Sequence, residues 1–149
     1  MSGDRPVHVA SFDELDTRTA YLLWQLREAV FVVEQDCAYP ELDGRDLEPG
    51  TRHLWAEVDE APVAYLRLLD DGPHLRIGRV LVTPVLRGHG LAETLLRRAL
   101  ELATGRPVRM DAQSHLARWY ASFGFEQDGE EFVEDGIPHV PMHRPLHRP

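Results

Sequence analysis

Hydrophobic positions along the chain follow two periods, and the switches between them mark out the elements. Val7 to Ala10 alternates as a short edge strand does. Polar starters from Ser11 to Asp16 then introduce a helical stripe of Leu22, Leu26, Ala29, Val30 and Val33. That spacing predicts a helix from about Thr17 with one face laid on a sheet. Arg52 to Val58 and Pro62 to Leu69 read as strands joined through Asp59, Glu60 and Ala61. The turn Asp70-Asp71-Gly72-Pro73 leads into a third run from His74 through Val82. Successive strands joined by short turns predict an antiparallel meander.

The period then becomes helical again. Leu91, Leu95, Ala99 and Leu102 share a face while Glu93, Thr94, Arg97, Arg98 and Glu101 fill the other side. A helix therefore begins at or just after Gly90 and is capped by Gly105 ahead of Pro107. A whole helix separates Val108 to Ala112 from the preceding strand, so the two are expected to pair in parallel, with Val108 to Ala112 beside Val80 to Val82. Ser114 is placed to cap a third helix that carries Leu116, Trp119, Tyr120 and Phe123 on one face and ends at Gly124. Glu126 to Arg144 reads as strand, turn at Gly129 or Gly136, and strand. Pro138, Pro141 and Pro145 confine its last part to an edge or a tail. The expected fold is of α/β (α+β) class: a mixed, mostly antiparallel central sheet flanked by helices, with one parallel βαβ crossover, in a single domain over 1–149.

The junction before the second predicted helix is where chemistry concentrates. Val80-Leu81-Val82-Thr83-Pro84 ends a strand, Arg87-Gly88-His89-Gly90-Leu91-Ala92 turns, and the helix follows. The first amides of a helix have no intrahelical partner and carry partial positive charge, so a phosphate placed there finds ready donors. Gly88 and Gly90 remove the Cβ atoms that would hold a pyrophosphate away from those amides. An ordinary strand-to-helix turn using glycine for its geometry accounts for the spacing equally well. A dinucleotide loop fits less well: Asp111 follows at the right distance, but Glu93 takes the place of the third glycine and too little chain remains for a doubly wound sheet.

Charge narrows the partners. With 25 acidic and 16 basic residues the net charge is −9, which argues against nucleic acid and anionic membrane surfaces and suits a cationic partner. Every basic residue is Arg, so a Walker-type loop, a Schiff-base lysine and a pyridoxal enzyme are excluded. Apolar runs fall far short of the roughly 20 residues of a membrane span, and no signal-peptide pattern opens the chain, so the expected setting is cytoplasmic. Cys37 is the single cysteine, which excludes an internal disulfide and reads as structural. His139, His143 and His147 repeat every four residues, but Pro141 and Pro145 forbid the helix that would gather them, and no metal is expected.

The glycine loop also has a more specific likeness. Arg87 to Ala92 resembles the Q/R-x-x-G-x-G/A signature of the GNAT superfamily of N-acetyltransferases, with Val80 to Pro84 in the place of the family's fourth strand. Tyr120-Ala121-Ser122-Phe123-Gly124-Phe125 resembles its Y-x-x-x-G-F helix end. Val30-Phe31-Val32-Val33-Glu34-Gln35, Cys37, Tyr39, Asp43-Gly44, Asp46, Arg52-His53-Leu54, and Glu134 to His139 with Met142 are similar to the ElaA-like branch, so the resemblance spans nearly the whole chain.

That resemblance implies a GNAT-type sheet and acetyl-CoA as co-substrate. Amides from Arg87, Gly88, His89, Gly90, Leu91 and Ala92 would hold the pyrophosphate. Val80, Leu81 and Val82 would meet the pantetheine arm in a V-shaped slot opened by strand splaying at the Thr83-Pro84 break. Tyr120 would be the general acid at the coenzyme sulfur, and amides near Leu81 and Val82 would face the oxyanion. Gln113 stands where the superfamily often has Asn. Glu34, then His139, are the implied acceptors of the amine proton. The competing reading is a non-catalytic acyl-CoA sensor or interaction module on the same fold. The acceptor is expected to be a small-molecule or peptide amine. Glu41, Asp43, Asp46 and Glu48 hint at a polyamine, aminoglycoside-like or peptide amine, though a solvated loop explains them as well. A homodimer stays open.

Overall fold

A computed structural model describes residues 5–37 and 40–146, so Tyr39 and His147 lie outside the described residues. The meander forms where the pattern has period two. β1 (His8–Ala10) pairs with β2 (Arg52–Val58), which joins β3 (Ala61–Asp70) over Asp59 and Glu60. The φ values of those two residues, 51° and 66°, make the two-residue turn whose twist matches a hairpin. β4 (Leu75–Val82) completes the meander, and β5 (Val108–Gln113) follows the crossover helix.

The opening between β4 and β5 lies earlier than the Thr83-Pro84 break. Arg79 takes φ 55°, and the register of β4 against β3 slips between Tyr65 and Arg67. This is a β-bulge, which bends the strand and re-aims its backbone. β5 pairs in parallel with β4 only at Leu75–Val108 and Arg76–Arg109, after which the strands part. Val108 thus lies beside Leu75 and not beside Val80, because the bulge carries the end of β4 away.

α1 (Thr17–Arg27) is capped by Asp16, whose carboxylate accepts the Thr19 N–H at 2.7 Å, and runs on into a π-helical turn over Glu28–Glu34. Its buried face is Leu23, Arg27, Val30 and Phe31, a different face from the apolar stripe of the sequence, and Val33 is 71% exposed. Two causes act together. A buried arginine holds the centre of the face, and the wider turn rotates the residues after it. α2 (Leu91–Leu102) covers the other side of the sheet through Leu91, Leu95, Leu96 and Ala99, packed with Leu54, Leu66 and Ile77. Leu96 replaces Leu102 in the stripe. α3 (Ala117–Ala121) is short and follows a 3-10 turn at Ser114–Leu116. The Ser114 hydroxyl donates to Glu131 at 2.7 Å and caps nothing.

β6 (Glu126–Gln127), β7 (Phe132–Glu134) and β8 (Ile137–Arg144) finish the sheet in the order β1-β2-β3-β4-β5-β8-β6, with β7 also beside β8. β8 is therefore an inner strand, against the expectation of an edge. Its prolines fall where no ladder donor is needed. Pro138 lies beyond the last β5 pair at His139, and Pro141 faces the break between β6 and β7, where its carbonyl accepts the Asp128 N–H at 3.0 Å.

The acid-rich segment before β2 is not a solvated loop. Arg27, fully buried, donates to Glu41 at 2.6 Å and to Asp46 at 2.7 Å. Arg67 forks onto Asp43 at 2.9 and 2.6 Å and also reaches Asp46 at 3.1 Å, while Arg79 bonds Glu41 at 2.9 Å. His53 and Tyr65 close the cluster through a 2.6 Å contact. Burial alone would raise the Asp46 carboxyl. Arg27 and Arg67 outweigh it and hold that group below the ordinary range. Glu41, Asp43, Asp46 and Glu48 are all paired internally, Glu48 with Arg45.

Candidate active site

The parting of β4 and β5 opens a cleft of about 1120 Å³, slightly above the roughly 300–1,000 Å³ of drug-sized sites. Its wall contains Val80, Leu81, Val82, Arg87, Gly88, Gly90, Leu91, Ala92, Gln113, Tyr120, Glu34 and His139. Of the catalytic and coenzyme-binding residues expected from the sequence, His89 alone lies outside it, exposed in the loop.

At one end stands the glycine turn. Gly88 and Gly90 have φ values of 83° and 80°, and a Cβ on either would point into open space. Leu86 and Arg87 donate back to Thr83 and Pro84, and Thr94 makes the first intrahelical bond, to Gly90. Every amide from Gly88 to Glu93 lacks a backbone acceptor among the described residues. A row of unpaired donors at a helix start, with open space before it, fits a diphosphate.

The middle of the cleft is the bulged edge of β4. Thr83 donates to Val63 on β3 at 2.8 Å, so by strand alternation Leu81 also faces β3, and Val80 and Val82 turn their backbone groups toward the slot. The amides available for an oxyanion are therefore those of Val80 and Val82, and Val80 takes the place given to Leu81. Leu81 instead buries its side chain among Trp55, Tyr65 and Phe31.

Tyr120 and His139 also line the cleft. Tyr120 is 4% exposed and packs edge-on to Trp119 and Phe125, and its hydroxyl has no hydrogen-bond partner among the described residues. Burial pushes that hydroxyl above its ordinary pKa, so it stays protonated. His139, on β8 opposite Gln113, contacts the Ile137 carbonyl through Nδ1 at 2.7 Å and stacks on Phe132. A carbonyl only accepts, so Nδ1 carries the hydrogen and the lone pair of the neutral ring sits on Nε2.

Glu34 is differently placed. Its carboxylate receives both terminal nitrogens of Arg87, at 2.6 and 2.7 Å, and this pairing lowers its pKa. In that arrangement the carboxylate is already engaged by a cation. Sequence reading missed the Glu34–Arg87 pair because 53 residues separate the partners. Cys37, read as structural, has a partner that was equally hidden: its thiol contacts the Asp135 carbonyl at 3.3 Å and ties the π-helical turn to the hairpin that carries His139. Neither has a local signal.

A mixed sheet parted over a helix-start cradle defines an acyltransferase architecture, and a family model for the acetyltransferase (GNAT) domain matches residues 24–146. The chain belongs to the GNAT acetyltransferase family. Within it the chain stands with the ElaA and UPF0039 proteins. UPF0039 protein Rv2851c of Mycobacterium tuberculosis is 49% identical over 137 residues, 89% of this chain and 88% of that one. Protein ElaA of Escherichia coli is 44% identical over 138 residues, and the crystal structure of E. coli ElaA matches with a TM-score of 0.89, covering 94% of this chain and 99% of that one. An acyl-CoA N-acyltransferase from Pseudomonas aeruginosa matches with TM-score 0.89 and 41% identity, covering 93% and 99%. At the level of fold alone, an aminoglycoside 6'-N-acetyltransferase complexed with coenzyme A matches with TM-score 0.73 at 11% identity. No helix among the described residues is long and apolar enough to cross a membrane.

Proposed function

We propose that the protein is an acetyl-CoA-dependent N-acetyltransferase acting on a primary amine of a small molecule or peptide. The observation that carries this reading is the continuity of the cleft from the unpaired amides of Gly88 to Glu93 to the partnerless hydroxyl of Tyr120. The coenzyme supplies a thioester, whose carbonyl carbon is open to attack by a neutral amine. Gly88 to Glu93 hold the diphosphate, and the backbone groups of Val80 with the amide of Val82 align the arm, the Val82 carbonyl being taken by Arg87.

An alkylammonium, with a reference pKa near 10, is no nucleophile, so a proton must leave first. His139 Nε2 takes it, directly or through water, while the bond from Nδ1 to Ile137 holds the ring. The Val80 and Val82 amides stabilise negative charge as it grows on the carbonyl oxygen. Tyr120 hydrogen-bonds the departing sulfur. Since burial makes its hydroxyl a weak acid, the proton that ends on sulfur is replaced from the acceptor nitrogen, which loses one as the amide forms.

The test is release of free thiol from acetyl-CoA across an amine panel, beside calorimetry of coenzyme binding. Tyr120→Phe is expected to lower kcat by roughly 10²-fold or more, with the coenzyme Kd and Tm unchanged, since the lost hydroxyl bonds nothing in the protein. Tight coenzyme binding without thiol release on any amine would favour the sensor reading. Absence of coenzyme binding would remove both.

A further inference from the structure

The geometry points to Glu34 and Arg87 as a positioning clamp that sets the diphosphate cradle against the π-helical turn, with neither residue moving a proton nor touching phosphate. This rests on the acetyltransferase reading above and adds two roles to it.

Arg87 opens the glycine turn, and all three of its side-chain nitrogens are engaged. Nε donates to the Val82 carbonyl at 2.9 Å, and the two terminal nitrogens fork onto Glu34 at 2.6 and 2.7 Å. A planar fork of this kind fixes orientation as well as distance. The guanidinium therefore joins the end of β4, the first residue of the cradle, and the last residue of the π-helical turn. That turn is held at its other side by the i+5 bonds Gln35 to Val30 and Cys37 to Val32, and by the Cys37 thiol against Asp135. The turn thus touches both the cradle and the hairpin that carries His139.

The cradle needs such an external restraint. Gly88 and Gly90 give it a permissive backbone, and its amides from Gly88 to Glu93 make no backbone bonds that would hold it. A loop held in its binding conformation loses less entropy on binding than a free one. The charge on Arg87 is already matched by Glu34, so the affinity for diphosphate comes from the amides.

Three roles for the pair give different results in calorimetry with acetyl-CoA, using wild type, Glu34→Gln, Arg87→Gln and the swapped double variant E34R/R87E, each checked by thermal melting. The clamp predicts that both single variants weaken acetyl-CoA about fivefold, the range an exposed ion pair commands, and that the swap recovers most of the loss. It also predicts that Glu34→Gln keeps the acid-side fall of kcat/KM. If Glu34→Gln tightens acetyl-CoA while Arg87→Gln weakens it, Arg87 is a phosphate ligand and the clamp is overturned. If Glu34→Gln leaves Kd unchanged and abolishes the acid-side fall, Glu34 is the base and the clamp is again overturned. Single variants that bind as wild type does sink the clamp alone, whereas a wild type that takes up no acetyl-CoA sinks the functional reading beneath it.

Discussion

Arg27→Met tests how the segment between α1 and β2 is held. Methionine keeps most of the side-chain volume and removes the charge. Arg27 is fully buried between Glu41 and Asp46, which are 7% and 5% exposed, so the substitution strands two carboxylates away from water. Breaking a buried pair by deleting one partner typically costs about 3–5 kcal/mol. Here Arg67 remains on Asp46 and Arg79 on Glu41, so the lower end applies, about 3 kcal/mol. For a chain of this size that lowers Tm by roughly 6–12 °C.

The pH dependence has a definite sign. In the wild type the Asp46 pKa is depressed below its unfolded value of 3.8, so its contribution is full above that value and is lost as pH falls through the folded pKa. In Arg27→Met burial is less opposed and the Asp46 pKa rises. Protonation then relieves the folded variant, and its deficit relative to wild type shrinks as pH falls from about 7 toward 4. Urea unfolding across that range measures it. A loss below about 1 kcal/mol at neutral pH, or a deficit that widens on acidification, would refute the argument that these carboxylates depend on Arg27.

His139→Gln is expected to lower kcat/KM by about 10²-fold and to flatten its fall on the acid side, because a base works only when unprotonated; an unaltered pH profile would remove His139 from that role. Gly129→Ala places a Cβ 2.6 Å from Pro141 Cγ, in a ring that the inner strand β8 cannot release, so a loss of about 1–3 kcal/mol is expected in thermal or urea unfolding. Gly136→Ala makes the contrast. Nothing lies within 4 Å of its Cβ, and only its φ of 78° is strained, so a cost of about 1–2 kcal/mol without any shift of β8 is expected. Amide exchange along β8 separates the two.

The features legible in the sequence were the local ones. The Asp59-Glu60 hairpin, the start of α2 after Gly90 and the antiparallel meander each depend on residues a few positions apart. The stretches matching the ElaA-like branch carried the family. What stayed hidden depends on partners distant in sequence. Arg27 is absent from the predicted stripe because the carboxylates that bury it lie 14 and 19 positions away, and this displaced the predicted face of α1. The cluster around it turned an apparently solvated loop into packed structure for the same reason. Arg79 gave no hint of a positive φ, since bulges favour no side chain strongly enough to mark arginine, and so the splay of β4 from β5 was placed too late. Glu34 looked available because Arg87 is far along the chain. The prolines of β8 suggested an edge because their harmlessness depends on where β6 and β7 leave a gap.

That inner placement of β8 sets synthesis and folding at odds. β1 through β5 emerge from the ribosome first, yet β5 has no neighbour on its far side until Ile137–Arg144 has been made. Until then a nascent chain carries a bare strand edge next to apolar side chains such as Met110 and Ala112, which are sealed only in the finished sheet. Products that stop before Ile137 leave that edge open for good and are expected to associate through it.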